Sequence, residues 1–433
     1  MNTPFFCFQP RLAGALLLLL LLVPALARPA RGQGPDAPPF RLGRARQRRV
    51  RVPLRVERNL PVVQVWLNDS GPYNFLLDTG VAVSLLTEAA IADSLHLRHG
   101  QDFRVVGAGG EATGLLAYRA PGVRVRLGRP GQEAVAPDMA LLVLNADSLD
   151  LSGYVGLPIH GILGSELFRS FAVAFGANGA EDLTLTRPAF QRPPRGHRWA
   201  RVPLAIEGQK PYFIAEVRQA GDAAPRPLKL LLDTGASHAL SLETTSDPAL
   251  RLPAARLPAE LGRGLSGPVR GVLGRVATVQ LGRYRLPTVL TSFPDAADVH
   301  ARADVFRNGS LGYDVLRRFR VVIDYPHQCL WLHPGPTFRE PFEHDMAGLD
   351  LFAMGPALRR YRVLRVMPGT PAAAAGLEAG DELLTIGLAP VGVFTLTQLS
   401  RLLRSADGTV VHLVLRRPSG ELRAARLRLQ RRI

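Results

Sequence analysis

The sequence predicts a mainly β protein made of two duplicated halves, each a small β barrel or sandwich with one helix near its end, followed by a smaller α+β module. Three observations predict it. A segment repeats with Asp78 and Asp233 at equivalent points, 155 residues apart, which is too far for a solenoid and right for a duplicated domain. Within each copy, short apolar alternations are broken by Gly and Pro, the texture of strands and turns. Beyond Leu332 a proline-rich stretch separates the duplication from a differently patterned remainder.

At the N-terminus, Arg11 precedes an apolar run from Leu12 to Val23, and Pro24-Ala25-Leu26-Ala27 follows with a small-x-small cleavage pattern. Residues 1–27 therefore read as a secretory signal peptide. The run is shorter than the roughly 20 apolar residues a spanning helix needs, so the mature chain is expected to have no transmembrane segment and to be exported, whether to a periplasm, a cell surface or the medium. Residues 28–49 are rich in Arg, Pro and Gly without apolar period and are expected to form a flexible arm.

The first half spans 50–190 and the second 198–333. Val52-Pro53-Leu54 answers Val202-Pro203-Leu204, and LLDTGVAVSLL (76–86) answers LLDTGASHALS (231–241). A glycine-rich stretch at 107–114, with Gly109 and Gly110, has its counterpart around Gly262, Gly264, Gly267 and Gly271. VRLG (125–128) answers VQLG (279–282), and GILGSELFRSFAVAFG (161–176) answers GSLGYDVLRRFRVVID (309–324). Each half closes on a short strand, Leu183 to Leu185 and Leu330 to Leu332. The conserved order of features is what one accidental motif does not produce. Residues 334–345 are expected to be a linker, and 346–433 a module with strands near Tyr361 to Val366, Val410 to Arg416 and Leu422 to Leu429, and a helix from Thr397 to Arg404.

Composition narrows the function. With 433 residues, 47% hydrophobic and 21% charged, the chain is a multidomain globular protein and not a disordered or fibrous one. Cys7 and Cys329 are the only cysteines, and the first lies in the segment expected to be removed, so no internal disulfide, thiol catalysis or cysteine-rich zinc site is expected. The net charge of +17 invites a nucleic-acid reading. All but two of the 53 basic residues are arginine, spread along the chain, which points to composition and away from a polyanion-binding surface; no nucleic-acid partner is expected.

A single Asp-Thr-Gly is an ordinary turn signal, since all three residues favour turns. Two copies at equivalent points, each after a leucine run that reads as a buried strand, say more. A carboxylate at the end of such a strand is costly unless it is hydrogen-bonded or shares a proton. If the halves pack about a pseudo-twofold axis, Asp78 and Asp233 meet, and like charges that close do not both ionise. One carboxylate then activates water and one carboxylic acid protonates a carbonyl, without metal, cofactor or covalent intermediate.

From about residue 50 to 333 the chain resembles the retropepsin-like aspartic peptidases in their two-lobed form. The resemblance rests on LLDTG twice and on the hydrophobic-hydrophobic-Gly motif, Ile162-Leu163-Gly164, with Ser310-Leu311-Gly312 as its second copy. It implies peptide-bond hydrolysis by a monomer with an intrachain pair, Asp78 and Asp233, on peptide or protein substrates. It also implies an interlock of Thr79 and Thr234, backbone donors at Gly80 and Gly235, loops threaded by Leu163-Gly164 and Leu311-Gly312, and flaps carrying Gly109, Gly110, Gly264 and Gly267. Val81 stands where the family usually has Ala or Ser, and Ser310 where it has an aliphatic residue. Residues 346–430 resemble a bacterial-type PDZ domain through PGTPAAAAGLEAGDELLTIG (368–387), which implies capture of peptide C-termini by a loop containing Gly348, Leu349 and Leu351, with Asp350 where glycine is usual.

Two competing readings remain open at this level. Gly264-Leu265-Ser266-Gly267-Pro268 faintly resembles a serine nucleophile segment, yet no histidine context supplies a base. A peptide-binding scaffold that does not cut is the non-enzymatic alternative, with Val81 in its favour and two intact aspartates against it.

Overall fold

A computed structural model describes residues 38–105, 109, 115–145, 150–176, 182–264, 267–299 and 305–433. These residues are mainly β, arranged as a nine-stranded sheet in the first lobe, an eight-stranded sheet in the second, a six-stranded sheet shared by the two, and a six-stranded sheet in the C-terminal module.

The duplicated sheets grow from the patterns that predicted them. In Leu60–Leu67 the residues Val63, Val65 and Leu67 point into the core while Gln64 is exposed. That strand returns as Ser70–Leu77 through Asn68-Asp69, both in the left-handed region that a two-residue hairpin turn requires. Each strand leading into an Asp-Thr-Gly triplet ends in an apolar triplet, Phe75-Leu76-Leu77 and Leu230-Leu231-Leu232, all buried.

The shared sheet is palindromic. Arg49–Val52, Leu183–Thr186 and Ala172–Phe175 come from the first lobe, and Phe319–Asp324, Cys329–Pro334 and Ala200–Pro203 from the second. At its centre Ala172–Phe175 pairs antiparallel with Phe319–Asp324, Val173 opposite Ile323 and Phe175 opposite Val321. A single apolar core runs through both lobes.

Two boundary expectations are corrected. The flexible arm of 28–49 does not extend through residues 38–49, because Arg41–Leu42 pairs with Gln132–Leu144, Phe40 and Leu42 are buried, and the Phe40 N–H donates to Ser170 Oγ. Residues 1–37 lie outside the described part of the chain. The 334–345 segment is also packed down. Phe342 is 3% exposed in the core common to the two lobes, its ring 3.6 Å from the guanidinium carbon of the wholly buried Arg318, which donates to the carbonyls of Glu340 and Pro341. Phe342→Ala should therefore cost about 3 to 4 kcal/mol in a denaturant titration. A truncation made after Leu332 strands the Arg318 charge and should not fold, whereas one made after Phe342 should.

The C-terminal module keeps its own apolar core. Leu349–Met354 forms one edge of its sheet, followed by Arg360–Val366, Glu382–Ile386, Val410–Arg416 and Leu422–Arg428. Its helix Leu396–Leu402 starts at a capping box in which Thr395 and Gln398 exchange side-chain and backbone bonds. Among the described residues no helix is long and apolar enough to cross a membrane.

Candidate active site

Asp78 and Asp233 leave the ends of their buried strands and are each held by a threaded loop. Gly161–Leu163 runs parallel to Ser70–Leu77, with Leu163 opposite Leu77, and antiparallel to Leu85–Leu86 on its other side. Gly309–Leu311 does the same in the second lobe, between Arg226–Leu232 and Leu240–Leu242. The Asp78 N–H donates to Leu163 O and the Asp233 N–H to Leu311 O, both at 3.0 Å. Leu163 and Leu311 are fully buried. The next residue must be glycine for lack of room: a Cβ on Gly164 would stand 2.7 Å from Val81 O, and one on Gly312 2.2 Å from His238 O.

The two Asp-Thr-Gly turns interlock. The Thr79 N–H donates to Thr234 Oγ1 and the Thr234 N–H to Thr79 Oγ1, each at 3.0 Å. The hydroxyls reach across to the opposite strands, Thr79 Oγ1 to Leu232 O at 2.6 Å and Thr234 Oγ1 to Leu77 O at 2.8 Å. Both threonines are wholly buried, so their four bonds replace water completely. The carboxylates are then forced together. A Cβ on Gly235 would lie 2.1 Å from Asp78 Cγ, and one on Gly80 3.1 Å from Asp233 Cγ. Gly80 N–H donates to Asp78 Oδ1 at 2.7 Å.

Burial, then the neighbouring Asp233 charge, push the Asp78 carboxyl up to about 8, opposed by the Gly80 N–H and the Lys210 ammonium. A pair in this state shares one proton over a wide pH range. Sequence reasoning missed the role of Lys210, although its signal was present: it is one of two lysines in the chain and replaces the duplicated Leu60. Tyr325 was missed as well. Its phenol is buried, stacked on Phe168 at 5.4 Å, and held protonated by burial and by the fields of both aspartates.

The two departures from the family pattern have local partners. Val81 packs its side chain against an apolar cluster of the first lobe that includes Val62, Leu76 and Leu85, and its carbonyl accepts from the Ser165 N–H at 3.0 Å. Ser310 Oγ lies 3.0 Å from His238 Nε2, so a polar pair in the second lobe replaces the apolar Val83 and Ile162 of the first. The first lobe places its polar support elsewhere: Glu166 accepts from Ser84 N at 3.0 Å and Ser84 Oγ at 2.8 Å, and Ser84 Oγ accepts from Gly164 N at 2.9 Å.

Of the flap glycines, Gly110 lies outside the described residues, as does Ser266 of the serine-like segment. Gly109 is buried, its N–H directed at Asp298 O at 3.4 Å. Gly264 and Gly267 face each other at the end of the hairpin made by Arg256–Gly264 and Gly267–Leu281, and Arg270 N of that hairpin donates to Asp298 Oδ2 at 2.7 Å. The hairpins of both lobes thus meet at the short helix Ala296–Val299.

In the C-terminal module, Leu349 and Leu351 point into the core, and Gly348 takes a left-handed φ of 81°. The N–H groups of Gly348 and Leu349 both donate to the Asp345 carboxylate, so the loop expected to receive a peptide carboxylate already holds an internal one. Burial pushes Asp345 up to about 6 against those two donors. Asp350, in the position usually occupied by glycine, pairs with Arg365 at 2.6 Å.

An aspartyl protease family model matches residues 63–167 and 215–315, and a PDZ domain model matches residues 362–417. No curated relative matches the chain. Among solved structures, a photosystem II D1 C-terminal processing protease is 31% identical over 19% of this chain, with a TM-score of 0.18, and the aligned part spans 22% of that protein's length. Basic 7S globulin from soybean is 10% identical over 68% of this chain and 97% of its own, with a TM-score of 0.38. Both family matches fall on the segments that the geometry singles out, so the chain carries a retropepsin-like aspartyl protease domain in two segments with a PDZ domain at its C-terminus.

Proposed function

We propose that the protein is an aspartic endopeptidase, exported and working as a monomer, in which Asp78 and Asp233 activate water and the PDZ domain recruits a substrate or partner. The observation that carries this reading is the interlock of Thr79 and Thr234, which forces one carboxylate from each lobe against the glycine of the other. In the proposed cycle the ionised member of the pair takes a proton from water as it attacks the peptide carbonyl. The protonated member gives its proton to the carbonyl oxygen. The hairpins bearing Gly109 and Gly264-Gly267 close over the bound peptide. Export rests on residues 1–27 of the sequence.

Digestion of a diverse peptide mixture by the purified mature chain tests the activity, with inhibition by a statine-type transition-state mimic as the expected accompaniment. Intact peptides after incubation across mild acid to neutral pH would leave the peptide-binding scaffold as the reading.

The pH profile offers a second test. Neither Val81 nor Ala236 has a hydroxyl to donate to the ionised pair, and burial already raises Asp78, so the optimum should fall in weak rather than strong acid. Ala236→Ser adds a donor that favours the charged form and should move the acid limb of kcat/KM downward. An unmoved or raised limb in an active variant refutes this account.

A further inference from the structure

The free edge of the C-terminal sheet is already in use. Leu349–Met354 pairs with a neighbouring strand on one side only, and the helix Leu396–Leu402 packs against it, which together form the groove where this fold accepts an added strand. The first lobe enters that groove with two pieces. Its helix Leu151–Val155 lies on Leu349–Met354, with Gly153 so close to the Phe352 ring that a Cβ would sit 2.0 Å from Cζ. Tyr154 meets the same ring edge-on at 5.1 Å, and Gly156 abuts Leu396. The turn at Arg58 supplies the second piece: its N–H donates to Thr397 Oγ1 at 2.8 Å, that hydroxyl donates to Glu57 Oε2 at 2.5 Å, and the Arg58 guanidinium donates to Tyr154 O at 3.0 Å. The half-buried Arg58 side chain lies in the field of Asp345, Asp350 and Arg404.

Both pieces continue into the protease. Asn59, next to Arg58, donates its side-chain amide to Ser237 O and Asp314 Oδ1 at 3.3 Å, which ties the turn to the loop after Asp233. Tyr154 lies under Arg263, 5.7 Å from ring centroid to guanidinium, and Arg365 bridges Asp350 at 2.6 Å and Glu260 at 3.2 Å. Glu260 and Arg263 both belong to Arg256–Gly264, one strand of the second-lobe hairpin.

We propose that the first lobe is the resident ligand of the PDZ groove, and that a peptide with a free C-terminal carboxylate binds by displacing it, which releases the second-lobe hairpin. The chemistry of the incoming group is read from the loop, whose Gly348 and Leu349 N–H groups hold the Asp345 carboxylate, which the incoming carboxylate must replace. Displacement breaks the Arg58–Thr397 and Tyr154–Phe352 contacts and frees Glu260 and Arg263 from their partners across the groove. A hairpin tethered near its tip opens less often, so release raises turnover. That last step rests on the proposed peptidase activity; the displacement does not.

The test uses the full chain carrying Asp78→Asn, so that no peptide is consumed, with a pool of random ten-residue peptides bearing free C-termini and the same pool amidated. The free pool should raise amide exchange in residues 151–156 and 256–264, and the amidated pool should not. Adding Arg58→Ala with Thr397→Val should tighten binding of the free pool about tenfold. In the otherwise unsubstituted chain the same pair should raise kcat/KM on a short peptide at least threefold. Equal affinity with and without the pair, or binding that leaves exchange in 151–156 unchanged, overturns displacement. If the substituted chain fails to fold, exchange in the chain with Asp78→Asn alone decides. Tighter binding and faster exchange without any cleavage would uphold displacement and refute the peptidase reading instead.

Discussion

Asp78→Asn is expected to reduce turnover at least about a thousandfold, and to melt at a higher temperature than the parent at pH 8. The first effect follows from the loss of a proton that only a carboxyl pair can share. The second follows from linkage. The folded Asp78 carboxyl lies near 8, against 3.8 for an ordinary one, so the folded state binds this proton more tightly than the unfolded state does. The stabilisation is fully present below pH 3.8 and is lost as pH rises toward 8, where burying the charge costs most. Asparagine has no charge to bury. The difference in melting temperature should be near zero at pH 4 and grow through neutrality, corresponding to about 1 to 3 kcal/mol at pH 8 once proton sharing with Asp233 is allowed for. Calorimetry at several pH values measures it. A parent that stays as stable as the variant at pH 8 would show that Asp78 is not held protonated.

Gly235→Ala should abolish turnover, and Gly80→Ala should weaken it much less. The two positions are equivalent in the duplication, yet a Cβ on Gly235 would fall 2.1 Å from Asp78 Cγ while one on Gly80 keeps 3.1 Å from Asp233 Cγ. The first overlap is deep inside van der Waals contact and displaces a carboxylate pinned by the Gly80 N–H; the second asks for a few tenths of an ångström. A loss of 100-fold or more in kcat/KM for Gly235→Ala, with a Gly80→Ala loss at least tenfold smaller, is the expected pattern, since misplacing a reacting group by about 1 Å costs on the order of 100-fold. Equal losses would mean that the pair is more symmetric than this geometry.

Much of the site was legible because duplication turns a weak motif into a strong one. The two LLDTG segments announced buried strands ending in carboxylates, and Gly161–Leu163 and Gly309–Leu311 run parallel to those strands. What escaped notice lacked a local signal. The strand at Arg41–Leu42 hides among arginines, because a two-residue strand has no period and its anchors, Phe40 and Leu42, are spaced by charge. Phe342 sits among prolines that read as a linker, and only the buried Arg318 beneath it explains why the segment packs down. Lys210 acts through space on Asp78 from another strand, Tyr325 feels both aspartates from the turn after Phe319–Asp324, and the Asp345 carboxylate substitutes for a ligand. None of these follows from neighbours in sequence.

The palindromic shared sheet imposes an order of events on synthesis. A ribosome delivers the first lobe complete, with its aspartate, well before Phe319–Asp324 and Cys329–Pro334 exist to pair with it. Until then Ala172–Phe175 is an unpaired edge and half of a common core is missing, so the nascent first lobe is a body that awaits its partner and exposes apolar surface meanwhile. The carboxyl pair therefore comes into being only when about three quarters of the chain has emerged, a share read from the position of Pro334 in 433 residues. On the proposed peptidase reading, hydrolysis waits for that length of chain, and the exposed edge is the interval in which a folding helper has something to hold.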